Sequence, residues 1–246
     1  MLDTETLMDE VVLRANGERV DQLLPPNDPQ RPENADYVFR QDAVVAELKS
    51  LQQEVFTPEY RDKLNALARS WHDRGLIRLY GTTVVEMRRL PLTCQREWLR
   101  LLTQPLQTMV VSKSNKQIEQ TKELLSLPHA KGVLLLANDG NTSFDPYNLI
   151  TLISQILRKL HPDGSAQYSS IHSVSFFSAN LPVSSSLLSV PAVWWFNGHR
   201  PSSTDSVAQL LQRLEGGWHE RLSNRIGYQI PRVRLPEDAL EKLTFC

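Results

Sequence analysis

Three side chains within 14 residues have the types needed to hold and use a divalent cation: Asp36, Glu47 and Lys49. Two carboxylates supply hard oxygen ligands, and an ammonium beside them supplies fixed positive charge for an anionic substrate. The segments that carry them read as two strands of a hairpin. Ala35-Asp36-Tyr37-Val38-Phe39 and Val44-Val45-Ala46-Glu47-Leu48-Lys49 are rich in β-branched and aromatic residues, and Arg40-Gln41-Asp42-Ala43 between them is a polar turn without an Asn-Gly signal.

With Gln41 and Asp42 at the tip, paired residue numbers sum to 83, so Phe39 faces Val44 and Asp36 faces Glu47. Alternation places Val45, Glu47 and Lys49 on one face and Val44, Ala46 and Leu48 on the other. Directly opposed side chains have Cβ atoms about 4.5–5.5 Å apart, and two carboxylates so placed repel unless positive charge lies between them. Mg²⁺, with Mn²⁺ as a substitute, would provide it. The bland alternative is a solvated polar stripe on an edge strand, with Asp36 a turn residue.

Asp36, then Glu47-Leu48-Lys49 in an apolar strand, resembles the signature of the PD-(D/E)XK nuclease superfamily. The resemblance implies a restriction-endonuclease-like α/β core with a mixed central sheet flanked by helices. It also implies Asp36 and Glu47 as metal ligands, Lys49 as the group that orients water and steadies the phosphate, and Mg²⁺-dependent phosphodiester hydrolysis of DNA. Ala35 stands where the family name has Pro. A later helix of the family carries Gln-x-x-x-Tyr, and Gln117 followed by Thr121 is a loose version of it. Gln117 is equally the partner of Ser114 in a capping box, since Ser114-Asn115-Lys116-Gln117 has the form of a helix start. Some members add a Glu from an N-terminal helix. Here the helix predicted over Thr6–Ala15 offers Glu10, which the helix dipole alone would also explain.

Other elements must position these groups. Gly132–Ala137 is a continuous apolar run that predicts a buried central strand, ending in the turn composition Asn138-Asp139-Gly140-Asn141, from which Asp139 is not taken as a ligand. Leu149–Leu160 predicts a helix over one sheet face. Ser173–Ser178 and Ala192–Phe196 predict two further strands, with Trp194-Trp195-Phe196 read as core or edge packing rather than a base-stacking platform. His172 and His199 have no partner at catalytic spacing. Residues 24–32 hold four prolines and form neither a helix nor a central strand.

Between Lys49 and the Ser114 helix, residues 51–113 read as a mainly helical insertion in a single nuclease-like domain. It contains helices over Pro58–His72 and Gln95–Leu102 and a short strand pair near Tyr80-Gly81. Charge is uneven. Residues 1–50 carry 5 basic and 11 acidic side chains, residues 51–130 carry 12 and 8, and residues 131–246 carry 10 and 9. The basic excess makes Arg88, Arg89, Lys113 and Lys116 candidates for phosphate contact, while the net charge of −1 argues against an extensive non-specific DNA binder.

Cys94 and Cys246 have no metal-ligand spacing, the acidic N-terminus has no signal-peptide form, and the uncharged stretch Ile171–His199 is broken by Ser, Asn and Pro, so a cytoplasmic protein without a membrane span is expected. Two readings rival the nuclease. One is a catalytically inactive nuclease-fold protein that binds or assembles on nucleic acid. The other is an immunity-type module whose partner is a protein or a second copy of this chain.

Overall fold

A computed structural model describes residues 2–25, 33–52, 57–80, 86, 89–141, 146–179 and 194–230. Its centre is a six-stranded mixed sheet: β1 (Glu18–Arg19), β2 (Tyr37–Phe39), β3 (Val44–Leu51), β4 (Lys131–Asp139), β5 (Ser173–Ala179) and β6 (Trp195–His199), in spatial order β1 to β6. β3, β4 and β5 run parallel, and the other pairs are antiparallel. The described residues also form seven α-helices: α1 (Thr4–Arg14), α2 (Val20–Leu23), α3 (Pro58–Asp73), α4 (Leu92–Pro105), α5 (Lys113–Leu124), α6 (Pro146–Leu157) and α7 (Asp205–Ile226). No helix among the described residues is long and apolar enough to cross a membrane.

The two faces of the sheet follow from the period of two in its strands. Val44, Ala46 and Leu48 of β3 and Val133, Leu135 and Ala137 of β4 pack with α1 and α7. Val45 of β3 and Leu134 and Leu136 of β4 pack with Ile118 of α5 and Leu149, Ile153 and Ile156 of α6. The crossovers β3→β4 and β4→β5 thus bring α5 and α6 to one face, as same-handed connections between consecutive parallel strands require. The other face is closed by α1 and α7.

The hairpin takes the expected register, with Phe39 opposite Val44 and Tyr37 opposite Ala46. Ala43 closes its turn at φ 52°. The central strand extends two residues beyond the apolar run, to Asp139. The last strand is described from Trp195 to His199, its expected start at Ala192 lies outside the described residues, and Trp195 stacks on Phe177 at 4.7 Å, a packing role.

Two expectations in the helical stretch are corrected. Leu76–Tyr80 form no strand, and residues 81–85 lie outside the described residues. Ser114 does not cap a helix: α4 runs through a π-helical segment, Leu106–Ser112, directly into α5, so no break marks residue 113. Pro105 explains the change of winding. It lacks an N–H and its ring crowds the carbonyl one turn back, and a wider turn relieves both. Thr108 Oγ1 donates to the carbonyl of Gln104 at 2.9 Å, one turn back on the same helix.

One glycine sets how β4 and β5 start. A Cβ on Gly132 would lie 1.9 Å from the Ser170 carbonyl oxygen and 2.7 Å from Ile118 Cγ2, so only hydrogen fits between these backbones. Gly132→Ala is expected to destabilise the protein by about 2–3 kcal/mol, because the obstructing atom is main chain and cannot rotate away. A urea midpoint unchanged from the wild type would contradict this packing.

Candidate functional site

The site begins where β2 ends. Asp36 lies one residue before the strand, and its Oδ2 accepts from the Leu48 N–H at 2.8 Å, so the side chain continues the ladder that the main chain has left. That bond fixes the carboxyl beside Glu47. Glu47 is 1 % exposed, and its Oε1 accepts from Lys49 Nζ in a close ion pair, while its Oε2 is buried with no hydrogen-bond partner among the described residues.

α5 supplies the second wall. Lys49 Nζ also donates to Gln117 Oε1 at 3.0 Å, and Gln117 Nε2 donates to the Asn34 carbonyl at 3.1 Å. One turn on, Thr121 Oγ1 accepts from the Ala35 N–H at 2.7 Å. A single helix face therefore grips the lysine and the two residues that lead into Asp36. Gln117 is thereby assigned to the site rather than to a cap. Thr121 is a positioning residue whose role sequence reasoning missed; its spacing from Gln117 was the only signal.

Electrostatics mark the pair as strained in the absence of a cation. Burial pushes the Glu47 carboxyl up to about 8, the Asp36 charge adds to the rise, and Lys49 opposes it. Burial also raises Asp36, against the Leu48 N–H and the Lys49 ammonium. A buried carboxyl beside a half-buried one is a poor structural ion pair but suits a divalent cation. Among the described residues no three His, Cys, Asp or Glu side chains converge as a complete protein cage. Two carboxylates are nonetheless what Mg²⁺ commonly takes from a protein when waters and substrate phosphate complete its shell.

Lys49 also lines a cleft of about 790 Å³ between the end of β3, α3 and the π-helical segment, with Tyr60, Lys63, Thr108, Met109 and Asn141 on its walls. The site is thus open on its lysine side.

The remaining candidates are placed elsewhere or differently. Glu10 of α1 pairs with Arg221 at 3.2 Å and Arg225 at 3.0 Å of α7, on the face of the sheet away from Glu47, and ties these two helices together. Asp139 accepts from Ser50 Oγ at 3.2 Å and Gln52 Nε2 at 3.0 Å, and by strand alternation also lies on the α1/α7 face. Lys113 pairs with Glu33 at 3.3 Å beside the segment leading to Asp36, and Lys116 is exposed one residue before Gln117. Arg89 pairs with Glu86 at 2.8 Å on an exposed surface, and Arg88 lies outside the described residues. Cys94 is a buried free thiol, and Cys246 lies outside the described residues.

No protein-family model, no curated protein and no solved structure matches this chain.

Proposed function

We propose that this chain is a Mg²⁺-dependent nuclease that hydrolyses phosphodiester bonds in DNA, built on a restriction-endonuclease-like core. The carrying observation is the convergence of Asp36, Glu47, Lys49 and Gln117 at the open end of β3, with a buried Glu47 oxygen left unsatisfied. This is the residue set expected of a PD-(D/E)XK site, and the orphaned oxygen fits a metal ligand.

Asp36 and Glu47 would hold the cation. Mg²⁺ there would supply Lewis acidity toward a phosphoryl oxygen and toward water. Lys49 has three donors, of which Glu47 and Gln117 take two. Among the described residues the third has no acceptor, which leaves it for a non-bridging phosphate oxygen or the attacking water, where fixed positive charge favours the transition state. Gln117 holds that ammonium in place and Thr121 holds the backbone at Ala35, just before Asp36, so the site is preorganised from one helix. The cleft beside Lys49 gives the DNA strand its approach.

The test is calorimetric titration of the pure protein with Mg²⁺ and Mn²⁺, with the same samples incubated with plasmid and single-stranded DNA. One bound cation and metal-dependent cleavage, both lost in Asp36→Ala, are expected. Wild-type protein that neither binds Mg²⁺ nor cuts DNA would overturn the reading and favour an interaction module. Full cleavage by Asp36→Ala would also overturn it.

A further inference from the structure

A second charged cavity lies at the opposite end of the parallel strands. It measures about 980 Å³ and is lined by the C-terminal part of α5, the start of β4 and the turn before β5. Lys131 stands opposite Val44 in the ladder and Leu136 opposite Lys49, so the two sites are separated by five residues, roughly 16 Å along the strand.

Lys122 forms part of its lining. The residue is only 8 % exposed, and its Nζ has one hydrogen-bond acceptor, the Ser170 carbonyl at 3.3 Å. Neither Lys122 nor Lys131 makes an ion pair among the described residues. His172 lines the same cavity, and its Nδ1 lies 3.1 Å from both the Ser170 carbonyl and the Gly132 N–H. The two ammonium groups repel, and Glu119 offsets part of that. Burial and then the Lys131 charge push the Lys122 ammonium down to about 8, against the Glu119 carboxylate, while burial, Lys122 and Lys131 push His172 down to about 4 and keep it neutral. A desolvated lysine beside a second cation is costly unless an anion completes it.

The acids of the cavity argue for size selection rather than against an anion. Glu119 and Glu123 line it too, but both are exposed and solvated, whereas Lys122 is buried. A small anion would be opposed by less of their charge than a polyanion lying across the opening.

We infer that this cavity binds a small phosphate-bearing anion, inorganic phosphate or a compact phosphate monoester, on Lys122 and Lys131. Two ammonium groups can each give a charge-assisted hydrogen bond to phosphate oxygens. The site is separate from the Asp36–Glu47 pair and does not depend on its being catalytic.

The test is calorimetry of the full chain, free of divalent cations, with inorganic phosphate, glycerol phosphate, acetate and a short single-stranded oligonucleotide. One equivalent of phosphate or its monoester is expected to bind with a dissociation constant on the order of 1 mM or below, and acetate more weakly. Lys122→Met, which keeps the apolar stem, should weaken binding about tenfold or more, and so should Lys131→Met, while Arg61→Gln on α3 should not. Should Lys122→Met fail to fold, amide shifts in the wild type decide: phosphate should move Lys131, Gly132 and Ser170. No saturable phosphate binding, unchanged affinity in both lysine variants, shifts confined elsewhere, or tighter binding of the oligonucleotide at these residues would overturn the inference.

Discussion

Glu47→Gln is expected to abolish Mg²⁺-dependent cleavage and, in the same protein, to stabilise the metal-free chain. The two effects share one cause. Glu47 has an ordinary value of 4.5, and burial beside Asp36 lifts it to about 8. Between those values the unfolded chain releases the proton while the folded chain keeps it, so the folded state loses stability as pH rises from 4.5 toward 8. Gln cannot ionise. It can still accept from Lys49, and its amide hydrogens can approach Asp36, so the variant keeps the contacts and loses the penalty. At pH 7 the expected gain is about 1–2 kcal/mol, shrinking toward pH 4.5. Mg²⁺ should stabilise the wild type, increasingly at higher pH because binding must expel a proton, and should leave Glu47→Gln unmoved. Thermal denaturation across pH, with and without Mg²⁺, reads all of this. A structural ion pair predicts the opposite sign: Glu47→Gln would destabilise, and Mg²⁺ would do nothing to either protein.

The hairpin that carries Glu47 was legible because its information is local. Alternating apolar residues fix which face each side chain takes, and a one-residue slip would turn Lys49 toward the α1/α7 side chains and Val44 toward α5 and α6. The register therefore follows from the pattern, and with it the meeting of Asp36 and Glu47. What was not legible depends on partners far away in sequence. Thr121 holds a main-chain N–H 86 residues upstream, a role no spacing announces. Ser114 and Gln117 have the composition of a helix start, yet the helix had already begun at Leu92 and passed Pro105 by widening its turn. Glu10 sits on an acidic first helix, as an accessory ligand would, but α1 crosses the other face of the sheet, where α7 offers it two arginines.

α7 itself shows a different limit. Its 22 residues place Val207, Leu210, Leu211, Leu214, Trp218 and Leu222 on one face, but Gly216-Gly217 interrupts the pattern with the weakest helix formers short of proline. Packing overrides that propensity. A Cβ on Gly217 would lie 3.1 Å from Val11 Cγ1, so the small residue lets α1 and α7 approach, and Trp218 next to it meets Phe177 edge-on at 4.7 Å. Local propensity argues against this helix, and the contact it makes argues for it. The sheet is thereby braced on its far side, leaving the α5 side to carry the site.

Lys49→Met is the complementary test, because it separates charge at the reacting phosphate from the holding of the cation. Met keeps the stem in place along α5 but removes the donor shared between Glu47 and Gln117. Cleavage is expected to fall about 10²–10³-fold, the usual effect of losing one preorganised donor to a developing anion. Mg²⁺ binding should persist, displaced toward higher pH, since Lys49 is the positive charge that opposes the rise of the Glu47 carboxyl. Lys49→Arg would restore the charge in a planar fork too large for the Gln117 contact, so it should recover only part of the loss. Loss of Mg²⁺ binding at every pH in Lys49→Met would place the lysine in the architecture of the site rather than in its chemistry. Unchanged cleavage would remove it from both.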